Sequence, residues 1–193
     1  MKKKLKKELV QWAAIGGVFL VLFLTGLHTE VFGFLQGGIL ATGIITPDIE
    51  EQAEANATQA DLNVPLLNSK GESLNMREFE GKVVFMNVWA TWCAPCVAEM
   101  PGINNLYNDI QDENIEFVML SVDDQFEKAV AFKTRKNFDF EVYRSAGNFP
   151  EMYQTSTIPT TYIIDAEGNL VLEHKGMANY HSDEFKNFLR KLM

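Results

Sequence analysis

Residues 83–96 read VVFMNVWATWCAPC, and this stretch decides the fold. Val83–Trp89 is nearly all apolar, as a strand covered on both faces is. Ala90 and Thr91 end the run. A helix is then predicted over Ala94–Ile110, because Val97, Met100, Ile103, Tyr107 and Ile110 recur every three or four positions. Pro95 suits the first turn, where its missing N–H leaves nothing unpaired, and Pro101 predicts a kink. The only two cysteines of the chain therefore fall at a strand-to-helix junction. Cys93 stands at the helix N-terminus, where free N–H groups and the macrodipole favour a thiolate, the nucleophile of disulfide exchange. Cys96, three residues on, shares a face of the first turn with it. It can attack a mixed disulfide on Cys93 and release the substrate.

Working outward, strand and helix alternate. Ile115–Ser121 reads as a second buried strand and residues 125–136 as a helix with Phe126, Ala129 and Val130 inward. Thr160–Asp165 and Leu170–His174 flank Ala166-Glu167-Gly168-Asn169, a hairpin signal. Ser182 caps a final helix whose stripe is Phe185, Phe188, Leu189 and Leu192. A short strand over Leu62–Leu67 precedes the series. This order predicts an α/β sandwich of about 130 residues, large enough to bury a real core. Trp89, Phe138, Phe140 and Phe149 read as core, and no glycine-rich phosphate loop is present.

The amino-terminal part is of another kind. Of 193 residues, the first eight hold five lysines and one glutamate, and Leu9–Leu27 holds no charge. As a helix those 19 residues span about 28 Å, near the hydrocarbon thickness of a bilayer. Lysines stay on the cytoplasmic side, so the remainder is expected outside. The alternative is a cleaved signal peptide, but no A-x-A-like site follows the run directly. Residues 31–46 are apolar and glycine-rich; a packed or interfacial segment is expected, whereas a second span would return the rest to the cytoplasm. Residues 47–60 are acidic and alanine-rich and read as a linker or short solvated helix. The expected organisation is a basic segment over 1–8, an anchor over 9–27, an apolar then acidic linker over 28–60 and a folded domain over 61–193. Residues 47–193 carry a net charge of −12, which argues against nucleic acid.

Other uses of the cysteine pair are less economical. Zinc needs four ligands, and His174 and His181 are the only histidines away from the membrane edge. A structural disulfide across three residues closes too small a loop to stabilise much. Copper delivery on this kind of fold uses a C-x-x-x-C spacing with a placed histidine; His174 is a candidate, but the spacing differs. Peroxidases of the broad fold carry Pro-x-x-x-Thr-x-x-Cys, and here Met86 and Ala90 stand at the Pro and Thr positions.

Taken together, VVFMNVWATWCAPC, the following Glu99-Met100-Pro101, Ile158-Pro159-Thr160 before TYIID, and AEGN resemble the TlpA/ResA-type branch of the thioredoxin family over residues 61–193. The resemblance implies a thioredoxin-like three-layer sandwich, a central mixed sheet with helices on both faces, behind the amino-terminal transmembrane helix. It implies a membrane-anchored, extracytoplasmic thiol-disulfide oxidoreductase with no cofactor beyond the Cys93–Cys96 pair and no metal. Cys93 matches the attacking cysteine and Cys96 the buried resolving one. Glu99 matches an acidic residue that tunes the resolving thiol; without the resemblance, a solvated helix carboxylate would serve as well. Ile158, Pro159 and Thr160 match the cis-proline loop that pairs with substrate, with Trp92 and Pro95 beside the dithiol. Asn87 replaces the buried Asp of cytosolic thioredoxins and takes no proton, which leaves Glu99, water or the substrate to deprotonate Cys96. Residues 122–157 fit the branch's extra helix and strand.

No histidine lies between the cysteines, unlike strongly oxidising relatives, so the expected direction is reduction of protein disulfides. The expected partners are a protein disulfide, with apocytochrome c as the family precedent in cytochrome c biogenesis, and a membrane thiol donor. A copper-delivery protein or a thiol-dependent binding module of the same fold stands as the alternative.

Overall fold

The computed structural model describes residues 2–24, 27–40, 43, 45–47, 58–110 and 113–193. Most of the acidic linker, residues 48–57, lies outside the described residues, as do residues 25 and 26 of the expected anchor.

Two helices open the chain, α1 (Lys2–Leu24) and α2 (Leu27–Leu40). Lys6–Leu24 is the one helical stretch among the described residues long and apolar enough to cross a membrane. Leu9, Trp12, Ile15, Val18, Val21 and Leu24 are all exposed on it. By length and composition that surface suits a membrane span, and an amino-terminal signal sequence meets the same test.

The domain is built on β1 (Thr58–Gln59), β2 (Pro65–Asn68), β3 (Ser73–Asn75), β4 (Val83–Trp89), α3 (Ala94–Ile110), β5 (Ile115–Ser121), α4 (Phe126–Lys136), β6 (Val142–Ser145), β7 (Thr160–Ile164), β8 (Asn169–Lys175) and α5 (Asp183–Lys191). The eight strands form one mixed sheet in the order β1-β8-β7-β4-β5-β6-β2-β3. β4, β5 and β6 run parallel, and β7 pairs antiparallel with β4.

Alternation along β4 builds both halves of the core. Val83, Phe85 and Trp89 face one layer with Met100 and Ile103 of α3, Phe132 of α4 and Phe185 of α5. Val84, Met86 and Val88 face the other, with Leu66, Met76, Tyr153 and Tyr162. The expected three-layer architecture is present with an asymmetry. All three α-helices of the domain share the first face; the second is covered by 3-10 turns at Met76–Phe79 and Glu151–Tyr153. The same alternation puts Asn87 on the α3 side of the sheet.

Several boundaries move for local reasons. The strand expected over Leu62–Leu67 begins only at Pro65. Asp61 accepts the Asn63 N–H through its side chain (2.8 Å) and Val64 N–H donates to Leu62 O (2.8 Å), which makes a turn. β7 stops at Ile164 because the Asp165 carboxylate accepts from Asn169 N–H at 2.7 Å across the hairpin. Ser182 caps α5 as its sequence suggests, accepting from Phe185 N–H. Within residues 28–60, read as linker, α2 packs along α3 and β1 pairs with β8.

Candidate active site

The carboxyl end of β4 delivers the chain to the amino end of α3, and Trp92–Cys96 forms the turn between them. Cys93 and Cys96 are joined as a disulfide. Cys93 keeps 6% of its surface accessible and Cys96 none. The Cys96 N–H donates to Cys93 Sγ at 3.2 Å, so an unpaired helix N–H already points at the sulfur that would carry a thiolate. Trp92 beside it is 61% exposed, apolar surface next to the reactive sulfur.

The loop before β7 closes over the pair. Ile158–Pro159 is cis, and Ile158 O lies 3.7 Å from Cys93 Sγ. Thr160 is buried, with its hydroxyl donating to Thr157 O at 2.7 Å, which ties the loop to itself. The pattern around residue 91 does not single out Asp123, yet its carboxylate accepts the Thr91 N–H (3.0 Å) and hydroxyl (2.6 Å) and the Ser121 hydroxyl (2.9 Å). That contact pins the approach to Cys93 onto the end of β5. The available signal is position: Asp123 follows the carboxyl end of a parallel strand, the side on which such sheets build their sites.

Glu99 lies one turn beyond Cys96 and is 2% exposed, so it is no solvated helix carboxylate. Asn87 Nδ2 donates to Glu99 Oε1 at 2.8 Å, and Ala178 N–H donates to Oε2 at 3.2 Å. Asn87 also donates to Thr161 Oγ1 (2.9 Å), which accepts the Tyr180 hydroxyl at 2.8 Å. Burial pushes the Glu99 carboxyl up to about 8, against the lowering effect of the Asn87 and Ala178 hydrogen bonds. Burial chiefly, with the Glu99 charge nearby, also raises Tyr180 well above the ordinary phenol range. Thr161, Ala178 and Tyr180 escape notice in the sequence. Thr161 becomes legible once β7 is laid against β4, where it is the register partner of Asn87. Ala178 enters through its backbone alone.

Among the described residues, no group of three or more His, Cys, Asp or Glu side chains is arranged to hold a metal ion. The redox-capable groups at the site are the two sulfurs.

The profile of the AhpC/TSA family matches residues 46–172. Thiol-disulfide oxidoreductase ResA of Halalkalibacterium halodurans is 30% identical over 142 residues, covering 72% of this chain and 81% of that protein. The chain belongs to the AhpC/TSA family, in its ResA-type branch. The ResA of Bacillus thuringiensis subsp. konkukian is 29% identical over 131 residues, 67% of this chain and 75% of that one. A thiol:disulfide interchange protein of the thioredoxin family from Chlorobium tepidum superposes with a TM-score of 0.57 at 22% identity, over 72% of this chain and 99% of its own. That likeness shows the thioredoxin-like fold. As a ResA-type protein the chain is a thiol-disulfide oxidoreductase, and Cys93–Cys96 is its cysteine pair. Met86 and Ala90, which stand at the Pro and Thr positions of the peroxidase motif, are buried apolar residues.

Proposed function

We propose that this oxidoreductase reduces protein disulfides outside the cytoplasm while tethered to the membrane by α1, and that apocytochrome c is a substrate. One observation carries the chemistry: a helix N–H on Cys93 Sγ, with Cys96 sealed beneath it and the cis-Pro159 loop alongside. In the reduced form the Cys93 thiolate attacks one sulfur of the substrate disulfide. The substrate's other sulfur leaves as a thiolate and takes a proton. Cys96 then loses its proton and attacks Cys93 Sγ, breaking the mixed disulfide and releasing the second substrate thiol. Two electrons pass to the substrate, and the Cys93–Cys96 disulfide is left.

Glu99 is proposed as the acceptor of the Cys96 proton. A carboxyl held up to about 8 by burial can take a proton and return it near neutral pH. Asn87 cannot take the proton. Trp92, Pro95 and Ile158 supply the substrate-facing rim; Pro159 and Thr160, expected there from the sequence, are buried and hold the loop from behind. A membrane thiol carrier is proposed to restore the dithiol.

Extracytoplasmic placement is supported by the lysines in the first turns of α1 and by the exposed apolar side chains further along it. The test is to mix the pre-reduced full-length protein with an oxidised peptide bearing the C-x-x-C-H haem-attachment sequence. Stoichiometric appearance of peptide dithiol and of the Cys93–Cys96 disulfide supports reduction. A protein that instead leaves the peptide oxidised and takes electrons from dithiol peptides contradicts the direction.

A further inference from the structure

Helix α2 lies on the outer face of α3, on the two turns that carry the redox pair. The approach is close because small residues meet. A Cβ at Gly33 would lie 2.9 Å from Val97 Cγ1 and 3.3 Å from Ala94 O, and one at Gly37 would lie 3.4 Å from Ala98 O. Gly33 and Gly37 are one turn apart, as are Ala94 and Ala98, so one turn of each helix faces the other. Glu30 adds ion pairs to Arg135 and to Lys136 (2.7 Å) at the end of α4. Beyond α2, Asn179 N–H donates to Ile45 O at 2.8 Å. Three independent contacts thus seat α2 and Ile45 on the domain.

Between α2 and the domain lies a cavity of about 720 Å³. Gly33, Phe34 and Gly37 line it from α2; Val97, Glu99 and Ala178 line it from the domain. On its other sides Glu99 meets Asn87 of β4 and the Ala178 amide. We infer that α2, seated by Gly33, Gly37 and Glu30, is a positioning element for the reaction: it roofs the cavity that Glu99 borders and so sets how far water reaches the carboxyl behind the redox pair. Lifting α2 hydrates the cavity and stabilises the ionised carboxylate. It also releases Lys136, a cavity-lining cation, from Glu30, and that acts in the same direction. The remaining ionisable groups around Glu99 in the oxidised protein are Tyr180 behind Thr161 and His181 at the cavity wall. The bearing on catalysis rests on Glu99 being the proton acceptor for Cys96.

The test uses the oxidised full-length protein in detergent micelles. The infrared C=O band of the protonated Glu99 carboxyl, identified by its loss in Glu99→Gln, is titrated with pH, and hydrogen exchange of the α2 amides reads docking. Gly33→Leu is expected to free the α2 amides and move the Glu99 midpoint down by about one pH unit. Glu30→Arg is expected to shift it less, and adding Arg135→Glu and Lys136→Glu to restore it. Amides of α2 that exchange as freely in the wild type as in Gly33→Leu would overturn the docking. A freed α2 with an unmoved midpoint would overturn its link to Glu99. The band reports the carboxyl itself, so a protein that failed to exchange disulfides would sink the functional reading and leave this titration intact.

Discussion

Asn87 and Glu99, twelve residues apart in the chain, are joined by a 2.8 Å hydrogen bond inside the core. The inward side of β4 and the inward side of α3 meet at this bond. It fixes the buried carboxylate one turn beyond the redox pair, and it does so with a residue that cannot itself take the proton.

The first prediction concerns stability and pH. The folded protein holds the Glu99 proton up to about 8, whereas the ordinary value is 4.5. Between those values the unfolded chain has released a proton that the folded chain keeps, so this group's contribution to stability falls as pH rises. The slope approaches about 1.4 kcal/mol per pH unit within the window. Glu99→Gln should flatten it. Urea denaturation of the oxidised proteins from pH 5 to 8 measures the difference; parallel curves would contradict a buried, proton-holding Glu99.

The same variant should slow resolution. With no acceptor for the Cys96 proton, breakdown of the mixed disulfide is expected to drop by about a hundredfold and to lose its inflection near pH 8. Stopped-flow exchange with a small aromatic disulfide reads both. An unchanged rate from pH 6 to 9 would leave Glu99 a structural residue.

How far the site can be read from the sequence follows from how local its causes are. Val83–Trp89, Ala94–Ile110 and Ile115–Ser121 coincide with β4, α3 and β5 because a buried strand and a helix stripe both write a period into one short stretch. The strands β1, β3 and β6 have two, three and four residues, too few to show alternation. Cys93 and Cys96 stand out by their place between a buried strand and the helix that follows it. The surroundings of Glu99 do not, since Ala178 reaches it from 79 residues away through a backbone amide, and Thr161 reaches its partner Asn87 from 74 residues away through sheet pairing. The docking of α2 is hidden likewise: glycines in an apolar run mark a close approach without saying to what.

Asn87→Asp should set two carboxyls within hydrogen-bond reach of each other, and both cannot ionise cheaply in the core. The expected cost is about 1–3 kcal/mol near pH 8 and less near pH 5, where both are neutral. Combining it with Glu99→Gln should recover part of the loss. A strictly additive double variant would show that the two side chains are not coupled.

Asp123→Ala leaves the Thr91 N–H without its partner at the entrance to the redox turn. A loss of about 1–3 kcal/mol is expected, together with slower attack by Cys93. Thermal unfolding and the rate of alkylation of the reduced protein check the two effects; full stability with a normal rate would make the contact incidental.

Topology is tested by reporter fusions after Asn56. An extracytoplasmic signal is expected from the lysine cluster in the first turns of α1. A cytoplasmic signal would mean that residues 31–46 also cross the membrane.

The central claim is that Cys93 attacks and Cys96 resolves. Cells expressing full-length Cys96→Ser and Cys93→Ser are quenched with acid and compared on non-reducing gels. Cys96→Ser should attack, stall and accumulate covalent adducts that collapse to the monomer on reduction, while Cys93→Ser should show few. Adducts on Cys93→Ser in place of Cys96→Ser would reverse the roles, and adducts on neither would contradict disulfide exchange by this pair.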